Sequence, residues 1–370
     1  MVRISDILKK KMRDSTPTSE IKPIPSIQPS QAMTPKESAQ ELTPQKFPDM
    51  QIAKVMKELK PDIERSKTLY SKAVQLANEL LRSAAEGKPI ELQSIKDLVG
   101  EVINCLVLGD KTFFNLFYQD YSAEDYLYNH MVNVMIMSVD VGLGLGCNKS
   151  QLAELGLAAF LHDIGMVTVR DIALQPRQLT EEEYNKIKEH PVYGVNILSK
   201  LKGFPQAIAH AIQEHHERIN GGGYPKGLKD EEITEYARII AVVDIYEALS
   251  HTRAYRKKYP LHKAIKDIIS SGSLLFDNRV LKALIDKIGI YPVGSWVELN
   301  TNEICRITAT NDEFPLRPGV SVIFDSGGNR LKETRTADLA KQFNLYVKRP
   351  LSDEEVLRKI KEEVKNEESH

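Results

Sequence analysis

The sequence predicts a mainly α fold: a helical bundle with an N-terminal helical region and a small β-rich C-terminal appendage. Three observations support this prediction. Apolar residues dominate long central runs such as ELGLAAFLHDI, from Glu154 to Ile164, which is typical of buried helices. Short β-rich runs separated by Asn, Asp, Gly and Pro follow Ile288. A segment rich in Pro, Ser and Thr, unsuited to a packed core, occupies residues 1–50.

Residues 1–50 are expected to form a disordered tether. The stretch from Thr16 to Pro48 holds seven of the 18 prolines among Ser, Thr, Gln and Lys, a composition that cannot build a core. Before it, residues 3–13 (RISDILKKKMR) alternate apolar and basic character in a helical sense. This run suits either a solvated helix or a peptide that docks on a partner or an anionic surface.

Residues 51–119 are expected to form an N-terminal helical region. Apolar positions recur at helical spacing over a charged face. Pro61 is a favourable residue for a helix start, and Gly87 is a favourable stop. The region suits a regulatory or dimerisation module, or helices that only extend the bundle, and both alternatives stay open.

Three further segments complete the predicted organisation. A helical domain is expected over residues 120–288, a small β-rich appendage over 289–345, and a charged helix and tail over 346–370. The appendage prediction rests on the runs SWVELN, EICRITAT and GVSVIFDS. Ser352 and Glu355 have the spacing of a capping box, which predicts a helix start in the tail.

Charge and composition argue against several classes of protein. The chain has 370 residues and a formal net charge of −1, which argues against binding to bulk nucleic acid. Three cysteines, Cys105, Cys147 and Cys305, are odd in number and far apart. A disulfide framework or a cysteine zinc site is therefore not expected, and a reducing cytoplasmic location fits. No apolar stretch suits a membrane span or a signal peptide.

Residue types that bind metals recur in order through the middle of the chain. Five of the nine histidines belong to this series. Imidazole and carboxylate ligands together suit iron, manganese or zinc, and hydrolases use a carboxylate shared by two ions to generate hydroxide at neutral pH. The series comprises His130, His162, Asp163, His190, His215, His216 and Asp244.

Two of these carboxylates fall in strongly apolar surroundings. Asp163 lies at the end of the run ELGLAAFLHDI, and Asp244 lies inside IIAVVDIYEAL. An ionised carboxylate in such a place is costly unless a cation or a full set of hydrogen bonds compensates it. The sequence therefore predicts a dinuclear metallohydrolase.

Several motifs in this part of the chain resemble the HD-GYP domain family, a branch of the HD superfamily of metal-dependent phosphohydrolases. The resemblance covers roughly residues 120–345 and follows the order and spacing of the family's motifs. The naming triplet is Gly223-Tyr224-Pro225. The motifs are HMVNV at 130, FLHDIGM at 160–166, EHPVYGVNIL at 189–198, EHHERINGGGYPKGL at 214–228 and VVDIYEALSHTRAYRK at 242–257.

The resemblance implies a phosphodiesterase of cyclic di-GMP, a bacterial second messenger, which it would open to pGpG or degrade further to GMP. Two divalent metal ions would carry this chemistry, with iron preferred and manganese next. Asp163 is implied to bridge the ions and to be catalytic. One ion would be held by His130, His162, Asp163 and Asp244, and the other by Asp163, His190, His215 and His216.

Substrate contacts and partners are also implied by the resemblance. Tyr224 would contact the nucleotide, and Arg253 and Arg256 would contact phosphate, for which a permanently charged guanidinium with two donors is suited. Cyclic di-GMP is the implied ligand. Signalling proteins such as diguanylate cyclases or adaptors, and a second copy of the chain, are further expected partners.

The chain departs from the family pattern at a few positions. Many members continue the His-Asp motif with Gly-Lys, whereas this chain has Gly165-Met166, so one cation near the substrate phosphate is absent. Tyr126 stands where members with a third metal carry Glu, and Arg256 where Lys is common. Two alternatives follow: a slow or inactive relative that acts as a cyclic di-GMP sensor or adaptor, and a phosphohydrolase of another cyclic dinucleotide.

Overall fold

The structure is a computed structural model that describes residues 63–110, 112–117, 122, 125–175, 177–251, 261–311 and 313–367. The predicted tether at 1–50, the start of the N-terminal helical region, and the phosphate-contact candidates Arg253 and Arg256 lie outside the described residues. Over the described residues, the structure confirms a mainly α fold that is followed by a small antiparallel sheet.

The helices precede the sheet, and one further helix follows it. Within the described part of the chain, no helix is both long enough and apolar enough to cross a membrane. The helices are α1 Ile63–Ala85, α2 Leu92–Val107, α3 Thr112–Phe117, α4 Tyr126–Gly144, α5 Lys149–Leu161, α6 Arg170–Ala173, α7 Glu181–Ile187, α8 His190–Leu198, α9 Gln206–Glu214, α10 Glu235–Ser250, α11 Leu261–Leu275, α12 Asn278–Ile288 and α13 Asp353–Glu367, with 3-10 turns at Ile164–Thr168 and Asp230–Glu232.

Helices α4, α5 and α10 form the centre of the bundle. Their sequences are apolar nearly all round, and most of their residues are buried, as expected for helices with neighbours on every side. Helix α5 ends at Leu161, and the chain continues from His162 into the 3-10 turn at Ile164–Thr168. The His-Asp pair therefore lies at the buried end of a core helix, as the sequence predicts.

The N-terminal helices α1 and α2 pack against this centre. Helix α1 contacts α4, and the Tyr70 hydroxyl donates a hydrogen bond to Asn133 Oδ1 at 2.8 Å. Helix α2 packs on α5 so closely that a Cβ atom at Gly156 would lie 2.6 Å from Val99 Cγ1. The two helices are thus part of the bundle, and a regulatory or dimerising role for region 51–119 stays a prediction.

The C-terminal sheet has five antiparallel strands in the order β4-β3-β2-β1-β5. Alternate residues of the inner strands, among them Val297, Ile307 and Val322, point into one apolar cluster. The strands are β1 Trp296–Leu299, β2 Ile304–Ala309, β3 Gly319–Phe324, β4 Arg330–Asp338 and β5 Val347–Leu351.

The predicted boundary of the appendage at residue 345 is too early. Strand β5 pairs with β1 and lies in the segment that the sequence assigned to the charged tail. Its sequence, VKRPL, does not resemble a strand because it contains two basic residues and Pro350, a residue that is accommodated mainly in edge strands. The capping box is present: Ser352 and Glu355 exchange hydrogen bonds at the start of α13.

Candidate dinuclear metal centre

The structure brings all seven predicted ligand residues together inside the bundle. They come from the first turn of α4, the end of α5, the start of α8, the end of α9 and the middle of α10. Each is at most 9% exposed. Among the described residues, two groups of side chains hold ligand atoms within 4.8 Å of one another: Asp163, His190, His215 and His216, and His130, His162 and Asp163.

Three of the histidines are oriented by the backbone of their own helix ends. The Nδ1 atoms of His162, His190 and His215 each donate to the carbonyl oxygen three residues earlier, at 2.7 Å. A carbonyl oxygen can only accept, so Nδ1 carries the proton and Nε2 of the neutral ring carries a lone pair. Each ring therefore presents an unprotonated nitrogen to the interior of the site, as a metal ligand must.

His130 is oriented by a carboxylate instead. Its Nδ1 contacts Glu247 Oε2, and Glu247 is fully buried. Burial alone would lower the pKa of His130, but the charge of Glu247 and the neighbouring carboxylates raise that pKa well above its ordinary value. A carboxylate on one ring nitrogen makes the other nitrogen a stronger ligand, so Glu247 both positions His130 and increases its basicity.

Asp163 lies between the two groups. Its Oδ2 atom is 3.4 Å from Nε2 of His130 and 3.5 Å from Nε2 of His162. Its Oδ1 atom is 3.1 Å from Nε2 of His190 and 3.8 Å from Nε2 of His215. Each carboxylate oxygen thus faces a different pair of imidazoles, which is the arrangement that a bridging carboxylate requires.

Asp244 also faces both groups. Its Oδ1 atom is 3.3 Å from His130 Nε2, and its Oδ2 atom is 3.7 Å from His216 Nδ1. The family resemblance implies that Asp244 belongs to the ion of His130 and His162, and the shorter of these two distances is the one to His130. The assignment of individual ligands to each ion stays a prediction.

The donor set suits cations because lone pairs face each other. The Nε2 atoms of His130 and His162 are 3.3 Å apart, and those of His190 and His215 are also 3.3 Å apart. With their protons on Nδ1, the rings of His190 and His215 cannot hydrogen-bond to each other through Nε2. A cation there would convert repulsion into coordination, and mixed imidazole and carboxylate ligands suit iron, manganese or zinc.

The protonation states also favour metal binding. Burial lowers the pKa of His215 to about 3 and places the pKa of His216 well below its ordinary value. Burial would raise the pKa of Asp163, but the charge and hydrogen bonds of nearby histidines hold it well below the usual range. These two imidazoles are therefore neutral and Asp163 is ionised at neutral pH, the states that coordinate metals.

Gly165 allows the His-Asp segment to approach helix α8. A Cβ atom at this position would clash with the carbonyl oxygen of His190 and with the amide of Gly194. No other residue lacks a Cβ atom. Gly165 therefore sets the spacing between Asp163 and His190, which belong to the same candidate ion site.

The Gly-Tyr-Pro loop forms one wall beside this centre. The ring of Tyr224 lies 4.6 Å from the ring of His216, and the Tyr224 amide donates to the His216 carbonyl oxygen at 3.2 Å. A Cβ atom at Gly223 would clash with the backbone of Glu217 and Arg218, so glycine is required for the loop to pass this close to the end of α9.

The carboxylate of Glu217 holds the same loop by accepting hydrogen bonds from its backbone amides. This carboxylate is 2% exposed, and its Oε1 atom accepts from the amides of Lys226 at 2.7 Å and Gly227 at 3.1 Å. Its Oε2 atom accepts from the Leu228 amide at 3.0 Å. Glu217 thus stabilises three backbone donors that would otherwise be left without partners close to Tyr224.

Glu217 and Glu247 are the positioning residues that the sequence analysis missed. Glu247 lies three residues after Asp244 in an otherwise apolar run, so helical spacing places both carboxylates on one face. This spacing could have predicted the position of Glu247 from the sequence.

Tyr126, noted as a departure from the family pattern, donates to Glu247 at 3.0 Å and lies 3.2 Å from His130 Nδ1. Met166 follows in the 3-10 turn and is partly buried.

Comparison with known proteins agrees with this arrangement. Residues 123–280 match the HD domain family, and residues 296–359 match the KOW domain associated with HD domains. The chain is 31% identical over 269 residues to the cyclic di-GMP phosphodiesterase PA4108 of Pseudomonas aeruginosa, covering 72% of this chain and 64% of that protein. It is 33% identical over 206 residues to the cyclic di-GMP phosphodiesterase PdeB of Borreliella burgdorferi, covering 55% and 54%.

The chain thus spans less than two thirds of the length of these two relatives. Among solved structures, the HDG"Y"P protein Bd1817 from Bdellovibrio bacteriovorus aligns with a TM-score of 0.52 and 22% identity, covering 61% of this chain and 72% of that one. This likeness shows a shared fold. Residues 123–280 belong to the HD domain family, and the His-Asp and Gly-Tyr-Pro motifs within them resemble those of its HD-GYP branch.

Proposed function

We propose that the protein is a metal-dependent phosphodiesterase that hydrolyses cyclic di-GMP to pGpG or further to GMP in bacterial signalling. The observation that carries the proposal is the position of Asp163, whose two oxygens face two separate pairs of imidazoles. Bound there, two divalent cations would polarise a phosphate oxygen and lower the pKa of the attacking water. The names of the two relatives above support cyclic di-GMP as the substrate.

The chain's own residues supply the rest of the chemistry. In the reaction, water adds to phosphorus, the bond from phosphorus to a ribose oxygen breaks, and that oxygen takes up a proton. Asp163, His130, His162, His190, His215, His216 and Asp244 would hold the two ions.

Substrate is held by residues outside this ligand set. Tyr224, packed on His216, would contact the nucleotide with its ring or hydroxyl. Arg253 and Arg256, which follow α10 in the sequence, would stabilise negative charge on the phosphate because a guanidinium is always charged. Iron is the preferred metal and manganese the next, and a cytoplasmic location fits the three free cysteines.

The test combines metal analysis of anaerobically purified protein with a turnover assay that resolves pGpG from GMP. About two metal ions per chain together with pGpG formation would support both the dinuclear site and the activity. Absence of metal, or full metal occupancy with turnover of a different cyclic dinucleotide only, would contradict the proposal.

A second candidate function is a nucleotide sensor built on the same scaffold. Met166 favours it, because the chain carries no cation at this position beside the His-Asp pair. A sensor would bind two metals and cyclic di-GMP, would release negligible product, and would pass the signal to a partner such as a diguanylate cyclase, an adaptor or a second copy of the chain.

A further inference from the structure

Lys188 lies next to the candidate site without an obvious structural task. It follows helix α7 directly and stands two residues before His190. Its Nζ atom lies 4.7 Å from the ring centroid of Tyr184 and 5.9 Å from that of Tyr224. Since the Tyr224 ring rests on His216, the ammonium group is held beside the metal-ligand cluster, against two aromatic faces that attract cations.

No carboxylate of the described residues lies within salt-bridge distance of this ammonium group. Its hydrogen-bond partner is the neutral side-chain oxygen of Asn185, at a long 3.3 Å. Other cations nearby are paired: Lys186 is 3.4 Å from Glu182, and Arg177 makes two bonds to Glu183 at 2.7 and 2.8 Å. Lys188 is partly buried, and a partly desolvated charge with no counterion favours an incoming anion.

The neighbouring cation Arg218 is less suited to this role. Its Nη1 atom donates to the carbonyl oxygens of His215 at 3.3 Å and of Glu217 at 2.7 Å, and its guanidinium packs on Phe276. These contacts hold Arg218 against the protein. The ammonium group of Lys188, in contrast, is a compact point charge on a flexible stem and can reach an oxyanion from several directions.

We propose that Lys188 binds the phosphate of the cyclic dinucleotide that is not being cleaved. This inference rests on the proposed function. A cyclic dinucleotide carries two phosphodiesters, and when one of them lies at the metal ions, the other must find its countercharge elsewhere. Lys188 provides that charge on the side of Tyr224, so it sets the affinity for dinucleotides without taking part in bond cleavage.

The test compares Lys188→Met with the matched control Lys186→Met. The two lysines are two residues apart, but among the described residues only Lys186 has a carboxylate partner, Glu182. Metal content, KM and kcat on cyclic di-GMP are measured for both. We expect Lys188→Met to raise KM about tenfold, the loss of roughly one charge-assisted hydrogen bond, with kcat and metal content unchanged. Lys188→Arg should restore most of the affinity, and Lys186→Met should behave like the unmodified chain.

A binding measurement separates phosphate from guanine as the group recognised. Cyclic di-GMP is compared with its analogue in which one of the two linkages is an uncharged methylphosphonate, by rapid mixing with the metal-loaded protein before turnover, so that both ligands keep one charged linkage for the metal ions. The unmodified chain should bind cyclic di-GMP about tenfold more tightly, and Lys188→Met should remove this preference. Equal weakening of both ligands would assign Lys188 to a base and overturn the inference, as would loss of metal.

The outcomes for the unmodified chain keep the two proposals distinct. If it turns over cyclic di-GMP and Lys188→Met matches it in KM, only the role of Lys188 is wrong. If the metal-loaded chain neither binds nor hydrolyses cyclic di-GMP, the proposed function is wrong and the role of Lys188 falls with it.

Discussion

The candidate metal-binding half of the site and its candidate substrate-binding half are built in different ways. The candidate ligands lie on or at the ends of buried helices, and backbone carbonyls or the carboxylate of Glu247 fix the histidine rings. The substrate side that the structure describes is the Gly-Tyr-Pro loop, which is fastened by Glu217. Helix ends and Glu247 therefore orient the candidate metal ligands, whereas Glu217 holds the loop, and substitutions in the two halves should differ in their main effect.

The largest effect is expected from Asp163→Ala. Because the oxygens of Asp163 face both groups of imidazoles, we expect loss of both metals and a fall in turnover of at least roughly a thousandfold, beyond the usual cost of one electrostatic contact. Metal content measured by emission spectroscopy and turnover on cyclic di-GMP check this expectation.

Asp140→Asn is the matched control for burial. Asp140, on α4, is a buried carboxylate like Asp163, but it pairs with Lys287 at 3.0 Å, outside the ligand cluster. The Asp140→Asn variant should keep both metals even if its thermal stability falls. Two metals retained in Asp163→Ala would remove Asp163 from the bridging position.

Glu247→Gln should produce the next largest effect, confined to the metal half. The glutamine keeps the shape of the side chain but loses the charge that raises the pKa of His130. Loss of a carboxylate behind a ligand histidine typically weakens metal affinity by about 10–100-fold. Competition with a chelator at fixed pH measures this change.

The control for Glu247 is Glu154→Gln. Glu154 accepts a hydrogen bond from the Tyr236 hydroxyl at 2.9 Å, away from the ligand cluster. Its substitution should leave metal affinity unchanged. Equal metal affinity in Glu247→Gln and the unmodified chain would mean that Glu247 does not tune the site.

Glu217→Gln tests the loop half. An amide can replace only part of the three hydrogen bonds that the carboxylate accepts, so the loop at 221–228 should open more often. We expect faster hydrogen exchange of the Lys226, Gly227 and Leu228 amides and about tenfold weaker nucleotide binding, equivalent to about one buried hydrogen bond. Metal content should stay the same, which is the outcome that separates the two halves.

Glu232→Gln serves as the control for Glu217. Glu232 also accepts from a backbone amide, that of Lys229 at 2.8 Å, but it is exposed. An exposed bond contributes little, so nucleotide binding should be unaffected. If Glu217→Gln lost metal as well as nucleotide, the halves would be coupled and the comparison above would be wrong.

The cluster of candidate ligands could be predicted from the sequence because the types of its residues contradict their surroundings. A carboxylate such as Asp163 at the end of an apolar helix needs a countercharge, and that argument requires no coordinates. Glu217 could not be found this way, because its partners are backbone amides of a loop that returns to it nine to eleven residues later. Strand β5 was missed for a related reason, since its pairing with β1 depends on contacts distant in sequence.

The smallest effect is expected from Met166→Lys, which adds a charge next to the metal half. Met166 lies in the 3-10 turn after Asp163, and its amide donates to the Asp163 carbonyl oxygen at 2.9 Å, so its backbone position is tied to that of Asp163. If a missing cation limits the chemistry, the lysine should raise kcat severalfold, less than the roughly hundredfold that a preorganised contact supplies in a transition state. Steady-state kinetics on cyclic di-GMP measure this gain. Met166→Leu is the control, because it conserves volume without adding charge and should leave kcat unchanged. A gain in both variants would point to packing of the turn, and no gain in Met166→Lys would mean that another step, such as release of pGpG, limits turnover.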